Sequence, residues 1–126
     1  MTAVLDASAA LALLRREPGN EVVADLLDGA VISAVNWSEI VQKGLARGWP
    51  PTAVEALRSA GVRVVPFTAE HAVRAAELWS ATRTAGLSLA DRACLAVTAT
   101  TPDGEAVTAD RAWAELDVDI PVQLIR

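Results

Sequence analysis

Val4-Leu5-Asp6-Ala7-Ser8-Ala9-Ala10-Leu11 joins a short apolar run to an alanine-rich one through a single carboxylate. The first run suits a buried strand and the second a helix, so the stretch reads as a strand that ends at Asp6 and passes straight into a helix. The same alternation recurs along the chain. β-like segments are expected at Ala3–Asp6, Ala30–Ile32, Val62–Pro66, Ala106–Thr108 and Ile120–Ile125, with helix-like stretches between them. Helix ends are legible as well. Ser33 opens a helix closed near Gly48, Pro50 and Pro51 open one closed by Gly61, Thr68 opens a long one closed by Gly86, and Ser88 opens one running through Ala99. This pattern predicts an α/β fold with a mainly parallel five-stranded sheet flanked by helices, a three-layer sandwich.

With 126 residues, 52% of them hydrophobic, the chain suits one domain, 1–126. The apolar run from Ala7 to Leu14 is too short to span a bilayer, follows Asp6 and precedes Arg15 and Arg16, so neither a membrane segment nor a signal peptide is read there. The single cysteine, Cys94, can form no internal disulfide and is expected as a small buried apolar residue, which suits a cytoplasmic protein. The single histidine, His71, disfavours a two-histidine ribonuclease mechanism and histidine-rich zinc chemistry, and reads as an ordinary helix residue. A net charge of −5 ordinarily argues against a nucleic-acid partner. That argument weakens if some of the acids hold divalent ions, each of which returns two positive charges.

In a parallel α/β sheet all strands end on one edge, and the helices that pack antiparallel to them begin there. Asp6 ends the first strand, Asp110 follows the fourth, Glu39 lies in the second turn of the helix after the second strand, and Asp91 lies in the first turn of the helix before the fourth. All four carboxylates are therefore expected at one edge. Each also has a plain structural reading. Asp6 could cap the helix it precedes; Glu39 could form a surface ion pair with Lys43; Asp91 fits a capping box with Ser88; Asp110 could cap a short helix beginning at Arg111. Asp117 and Asp119 read as solvated loop acids. What favours a site is the convergence of four acids from distant parts of the chain. Such a cluster suits a hard, oxygen-seeking cation, Mg²⁺ or Mn²⁺.

Four stretches carry a family resemblance: Val4-Leu5-Asp6-Ala7-Ser8-Ala9, Ser33-Ala34-Val35-Asn36-Trp37-Ser38-Glu39, Leu87-Ser88-Leu89-Ala90-Asp91-Arg92 and Val107-Thr108-Ala109-Asp110-Arg111-Ala112-Trp113. In this order and at these intervals the chain closely resembles PIN-domain ribonucleases, and within them the VapC-type toxins of toxin–antitoxin pairs. The resemblance implies a PIN-like sandwich. It makes Asp6, Glu39, Asp91 and Asp110 the metal-binding, catalytic acids, with Ser8, Asn36, Ser88 and Thr108 as supporting polar groups. It implies Mg²⁺- or Mn²⁺-assisted hydrolysis of RNA phosphodiester bonds, inhibition of translation and growth, a homodimer, and a cognate VapB-like antitoxin that covers the acidic groove. Two other readings stay open: a non-catalytic RNA- or protein-binding module of the same fold, and a metal-dependent DNA nuclease. Arg15, Arg16, Arg92 and Arg111 stand near element ends where phosphates could be gripped, though solubility charges are the plainer reading. Trp37, Trp49, Trp79 and Trp113 could stack bases, though core or interface positions are the plainer reading.

Overall fold

In the computed structural model, which describes all residues from Met1 to Arg126, five strands form one sheet in the order β3-β2-β1-β4-β5. They are β1 (Thr2–Leu5), β2 (Val31–Ser33), β3 (Arg63–Val65), β4 (Gly104–Thr108) and β5 (Val122–Leu124). Every pairing is parallel, so the expectation of a mainly parallel sheet is met in full. The helices are α1 (Ala7–Leu14), α2 (Asn20–Leu26), α3 (Ala34–Arg47), α4 (Pro51–Ser59), α5 (Ala69–Glu77), α6 (Trp79–Thr82) and α7 (Leu89–Thr100). Short 3₁₀-helices run over Arg83–Ala85 and Arg111–Glu115.

The central strands are buried on both faces, which is why they read as short unbroken apolar runs. Their side chains alternate between two cores. Ala3, Leu5, Ile32 and Val107 pack with α1 and with Val23, Ile40, Val54 and Leu57, while Val4, Val31 and Ala106 pack against Cys94, Leu95 and Val97 of α7. Four of the helices, α3, α4, α5 and α7, open at the signal expected of them. Ser33 accepts the Val35 N–H at 3.1 Å, Pro51 opens α4, and Thr68 and Ser88 form capping boxes.

Two expectations are corrected. The long helix between Thr68 and Gly86 is broken at Leu78, because the buried Thr82 hydroxyl donates back to the Leu78 carbonyl at 2.8 Å and to that of Trp79 at 3.4 Å. These bonds compete with the helical ladder and tighten the last turn into 3₁₀ geometry. The fifth strand is shorter than Ile120–Ile125, although the Pro121 carbonyl still accepts the Ala106 N–H at 2.9 Å. His71 is the third helical residue of α5, where Nδ1 accepts the Thr68 N–H and the ring stacks on Phe67.

The α1–α2 turn is pressed onto the C-terminal end. Gly19 has φ +90°, and a Cβ there would overlap the Ile125 carbonyl oxygen. Gly19→Ala therefore meets both backbone strain and a backbone clash, and should lower stability by more than about 2 kcal/mol in urea unfolding. A midpoint within error of the wild type would contradict this close approach.

Candidate active site

The strand order turns back between β1 and β4: successive strands add on one side of β1 and then on the other. At such a switch point the connections leave in opposite directions, and a crevice opens beyond the carboxyl ends of the two strands. Asp6 follows β1 directly and Thr108 is the last residue of β4, so the crevice is floored by residues from the two ends of the chain.

Asp6 is only 3% exposed. It precedes α1 without capping it, so the capping reading of this residue fails. Instead Oδ2 accepts the Ser8 hydroxyl at 2.6 Å and the Thr108 hydroxyl at 2.9 Å. Both hydroxyls are held from behind, since Ser8 Oγ accepts the Ala109 N–H at 2.9 Å and Thr108 Oγ1 accepts the Asp110 N–H at 3.1 Å. Each proton is thus aimed at Asp6, and the loop carrying Asp110 is tied to it. Oδ1 of Asp6 receives no hydrogen bond and is not sealed from solvent.

Burial dominates the acidity of Asp6. It pushes the carboxyl up from 3.8 to about 6 against the opposing hydrogen bonds of Ser8 and Thr108, and the charges of Asp91 and Glu39 raise it further. Glu39, half-buried on α3, is also raised, first by desolvation and then by Asp91, while Asn36 and Lys43 oppose the shift. The buried Cys94 thiol lies beneath the same group: burial first, then Asp6, Asp91 and Glu39, raise its pKa. Asp6, Glu39 and Asp91 therefore share one field although they are far apart in sequence.

The plain readings of the other acids divide. Glu39 does not pair with Lys43; the chain's ion pairs are Met1–Asp103, Arg58–Glu55, Arg74–Glu70 and Arg126–Glu17. Its Oε1 accepts Asn36 Nδ2 at 3.0 Å. Asp91 does build a capping box, with Oδ2 accepting the Ser88 N–H at 2.9 Å and Ser88 Oγ accepting the Asp91 N–H at 3.1 Å. Asp110 caps the turn after it, Oδ1 accepting the Ala112 N–H at 3.0 Å. In both cases one carboxylate oxygen holds the backbone and the other stays free, so capping orients the acid without consuming it. Asp110 is joined to the other three only through Thr108.

No three of the chain's His, Cys, Asp and Glu side chains close into a ready-made metal cage. The donor set nonetheless fits Mg²⁺ or Mn²⁺, because hard carboxylates with free oxygens share one negative field and no thiolate or imidazole stands among them. Mg²⁺ keeps several waters and is held by one or two carboxylates together with substrate phosphates, so a loose arrangement of acids suits it.

The structure sorts the remaining candidates. Trp113 is 1% exposed, Trp37 and Trp49 pack against the larger core, and Trp79 alone is open to solvent, with Arg83 stacked over its ring at 5.0 Å. Arg92 donates to the Ala75 carbonyl at 2.8 Å and fastens α7 to α5. Arg16 and Arg111 are exposed. Two contributors were invisible in the sequence: the Ala109 N–H that seats Ser8 and the Ala90 carbonyl that seats Asn36. Both are backbone groups, and no residue type signals them.

No protein of curated function matches the chain. In fold it is similar to a chain of a toxin–antitoxin complex from Klebsiella pneumoniae, with a TM-score of 0.77, 17% identity and 98% of each chain covered. It is similar also to a chain of VapBC-1 from nontypeable Haemophilus influenzae, with a TM-score of 0.70, 14% identity and 99% and 98% of the two chains covered. A third likeness is to a chain of FitAcB from Neisseria gonorrhoeae, with a TM-score of 0.63, 25% identity and 98% and 97% covered. The family model for the PIN domain matches residues 3–119, nearly the whole sequence, and the chain belongs to the PIN-domain family.

Proposed function

We propose that this chain is a Mg²⁺- or Mn²⁺-dependent endoribonuclease, one PIN domain acting as the toxin of a toxin–antitoxin pair. The observation that carries the reading is the shared field of Asp6, Glu39 and Asp91 beyond the switch point of the sheet, with Asp6 buried and one of its oxygens left free. A buried carboxylate surrounded by other carboxylates destabilises its own fold, so a fold that keeps one has a use for a cation there.

Asp6, Glu39, Asp91 and Asp110 would hold the ion. A divalent cation so placed lowers the pKa of a water and offsets charge on the leaving oxygen of a phosphodiester. The protein's own part is orientation. Ser8 and Thr108 fix Asp6, Ser88 fixes Asp91, and the turn at Ala112 fixes Asp110. The acidic surface also suits a basic partner segment, and the fold likeness to chains of toxin–antitoxin complexes supports an antitoxin as that partner. A second copy of the chain is the other expected partner. No helix is long and apolar enough to cross a membrane.

Incubating purified protein with total cellular RNA, in Mg²⁺ or Mn²⁺ and in chelator, and mapping the new ends tests the proposal. Cleavage only with metal is expected. Binding without cleavage would favour the occupancy module, and equal cutting of single-stranded DNA would favour a general nuclease. Within the site, Glu39→Gln should weaken metal binding and cleavage by about tenfold or more. Lys43→Ala should change both little, since an exposed charge contributes less than about 1 kcal/mol. Equal small losses from the two would return Glu39 to a surface role.

A further inference from the structure

Asn36 is fully buried on α3, one turn before Glu39. Its Nδ2 carries two protons and both are committed: one goes to Glu39 Oε1 at 3.0 Å, the other to the Ala90 carbonyl at 3.0 Å. Ala90 precedes Asp91 in the first turn of α7. One amide therefore bridges the helix that carries Glu39 and the helix that carries Asp91, two acids whose charges repel.

The orientation of the amide is fixed by its surroundings. Turning it over would set Oδ1 against a carboxylate and a carbonyl, two acceptors facing a third. In the orientation that satisfies both acceptors, Oδ1 is sealed from solvent and has no partner. A buried carbonyl oxygen without a donor lowers stability, and an apolar side chain of the same size would avoid the loss. Core packing gives no reason for an asparagine here. The contacts that do call for one are the two outgoing N–H bonds, and both end at the candidate site.

We infer that Asn36 is a positioning residue that holds Glu39 at a set distance from the Asp91 helix, keeping the two acids in register for one cation. This rests on the metal-site reading above. It differs from the part played by Ser8 and Thr108, which aim a single carboxylate from behind. Asn36 instead bridges the two helices that carry Glu39 and Asp91.

The test uses Asn36→Leu, which keeps the branched heavy-atom skeleton but has no donors, together with Glu39→Gln and the double variant. Mn²⁺ affinity is measured by calorimetry, and the metal-free melting temperature is followed by circular dichroism. The expected result is that Asn36→Leu still unfolds cooperatively in chelator and binds Mn²⁺ about ten- to a hundredfold more weakly, the range usual for residues that orient ligands. The double variant should bind no more weakly than Glu39→Gln alone, because Asn36 acts through Glu39. Should Asn36→Leu fail to fold, Asn36→Ala is read in the same way. Unchanged Mn²⁺ affinity, or losses that multiply in the double variant, would overturn the inference while leaving the metal site intact. Absence of Mn²⁺ binding to the wild-type chain would overturn both readings and is seen before any variant is made.

Discussion

Asp6→Asn should abolish cleavage, by on the order of a thousandfold or more, while the metal-free protein becomes more stable at neutral pH. The two effects have one cause. On the proposed reading the buried carboxylate would offer a cation its free oxygen, and losing several kcal/mol of metal-assisted stabilisation is a factor of this size. Without a cation, the same charge sits desolvated in the field of Asp91 and Glu39. Asparagine keeps an oxygen for the Ser8 and Thr108 hydroxyls, so the local hydrogen bonds survive as the repulsion goes. The checks are single-turnover cleavage of an RNA substrate and urea unfolding in chelator. Wild-type cleavage by the variant would remove Asp6 from the chemistry. A large drop in metal-free stability would mean that the carboxylate is structural.

Titration of the same residue gives the second large effect. Its folded pKa of about 6 lies above the ordinary 3.8, so the folded state holds the proton more tightly than the unfolded state does. Stability from this group is therefore fully present below about 3.8, falls as pH rises toward 6 and is level above that. The shift corresponds to about 3 kcal/mol across the window. Other carboxylates titrate there too, so the measured quantity is the difference between wild type and Asp6→Asn, followed from pH 4 to pH 7. That difference should grow with pH in favour of the variant. Mg²⁺ should reverse it, and should stabilise the wild type more at pH 7 than at pH 5, where the proton competes for the carboxylate. A difference that does not vary with pH would mean that Asp6 is ionised normally.

Much of the fold was legible because its signals are local. Ser33, Pro51, Thr68 and Ser88 open their helices where the sequence places them. The strands are short apolar runs because parallel sheets bury both faces. The break at Leu78 was not legible, since it depends on Thr82 being buried and turned back on its own helix. Neither was α2, whose start rests on Gly19 at positive φ against Ile125, more than a hundred residues away. The site divided along the same line. That the acids share an edge follows from topology. That Asp6 is a non-capping buried acid, whereas Asp91 and Asp110 cap with one oxygen and keep the other free, depends on hydrogen bonds between distant parts of the chain. Lys43 is four residues from Glu39, the spacing of a helical ion pair, yet Asn36 is the residue that engages it.

The bond from Thr108 to Asp6 joins residues 102 positions apart, and β1 sits at the centre of the sheet beside β4. β1 leaves the ribosome about a hundred residues ahead of β4 and must therefore wait for it before its crevice has a floor. Pairings of such separation form slowly, because closing the intervening loop precedes any reward from contact. At elongation rates of about 5–20 residues per second, the nascent chain passes several seconds with Asp6 made and its partners absent. A chain cut short before Thr108 carries three of the four acids and lacks the hydroxyl that aims the first. If the chain acts as the nuclease proposed above, this topology withholds the complete site until β4 has been made.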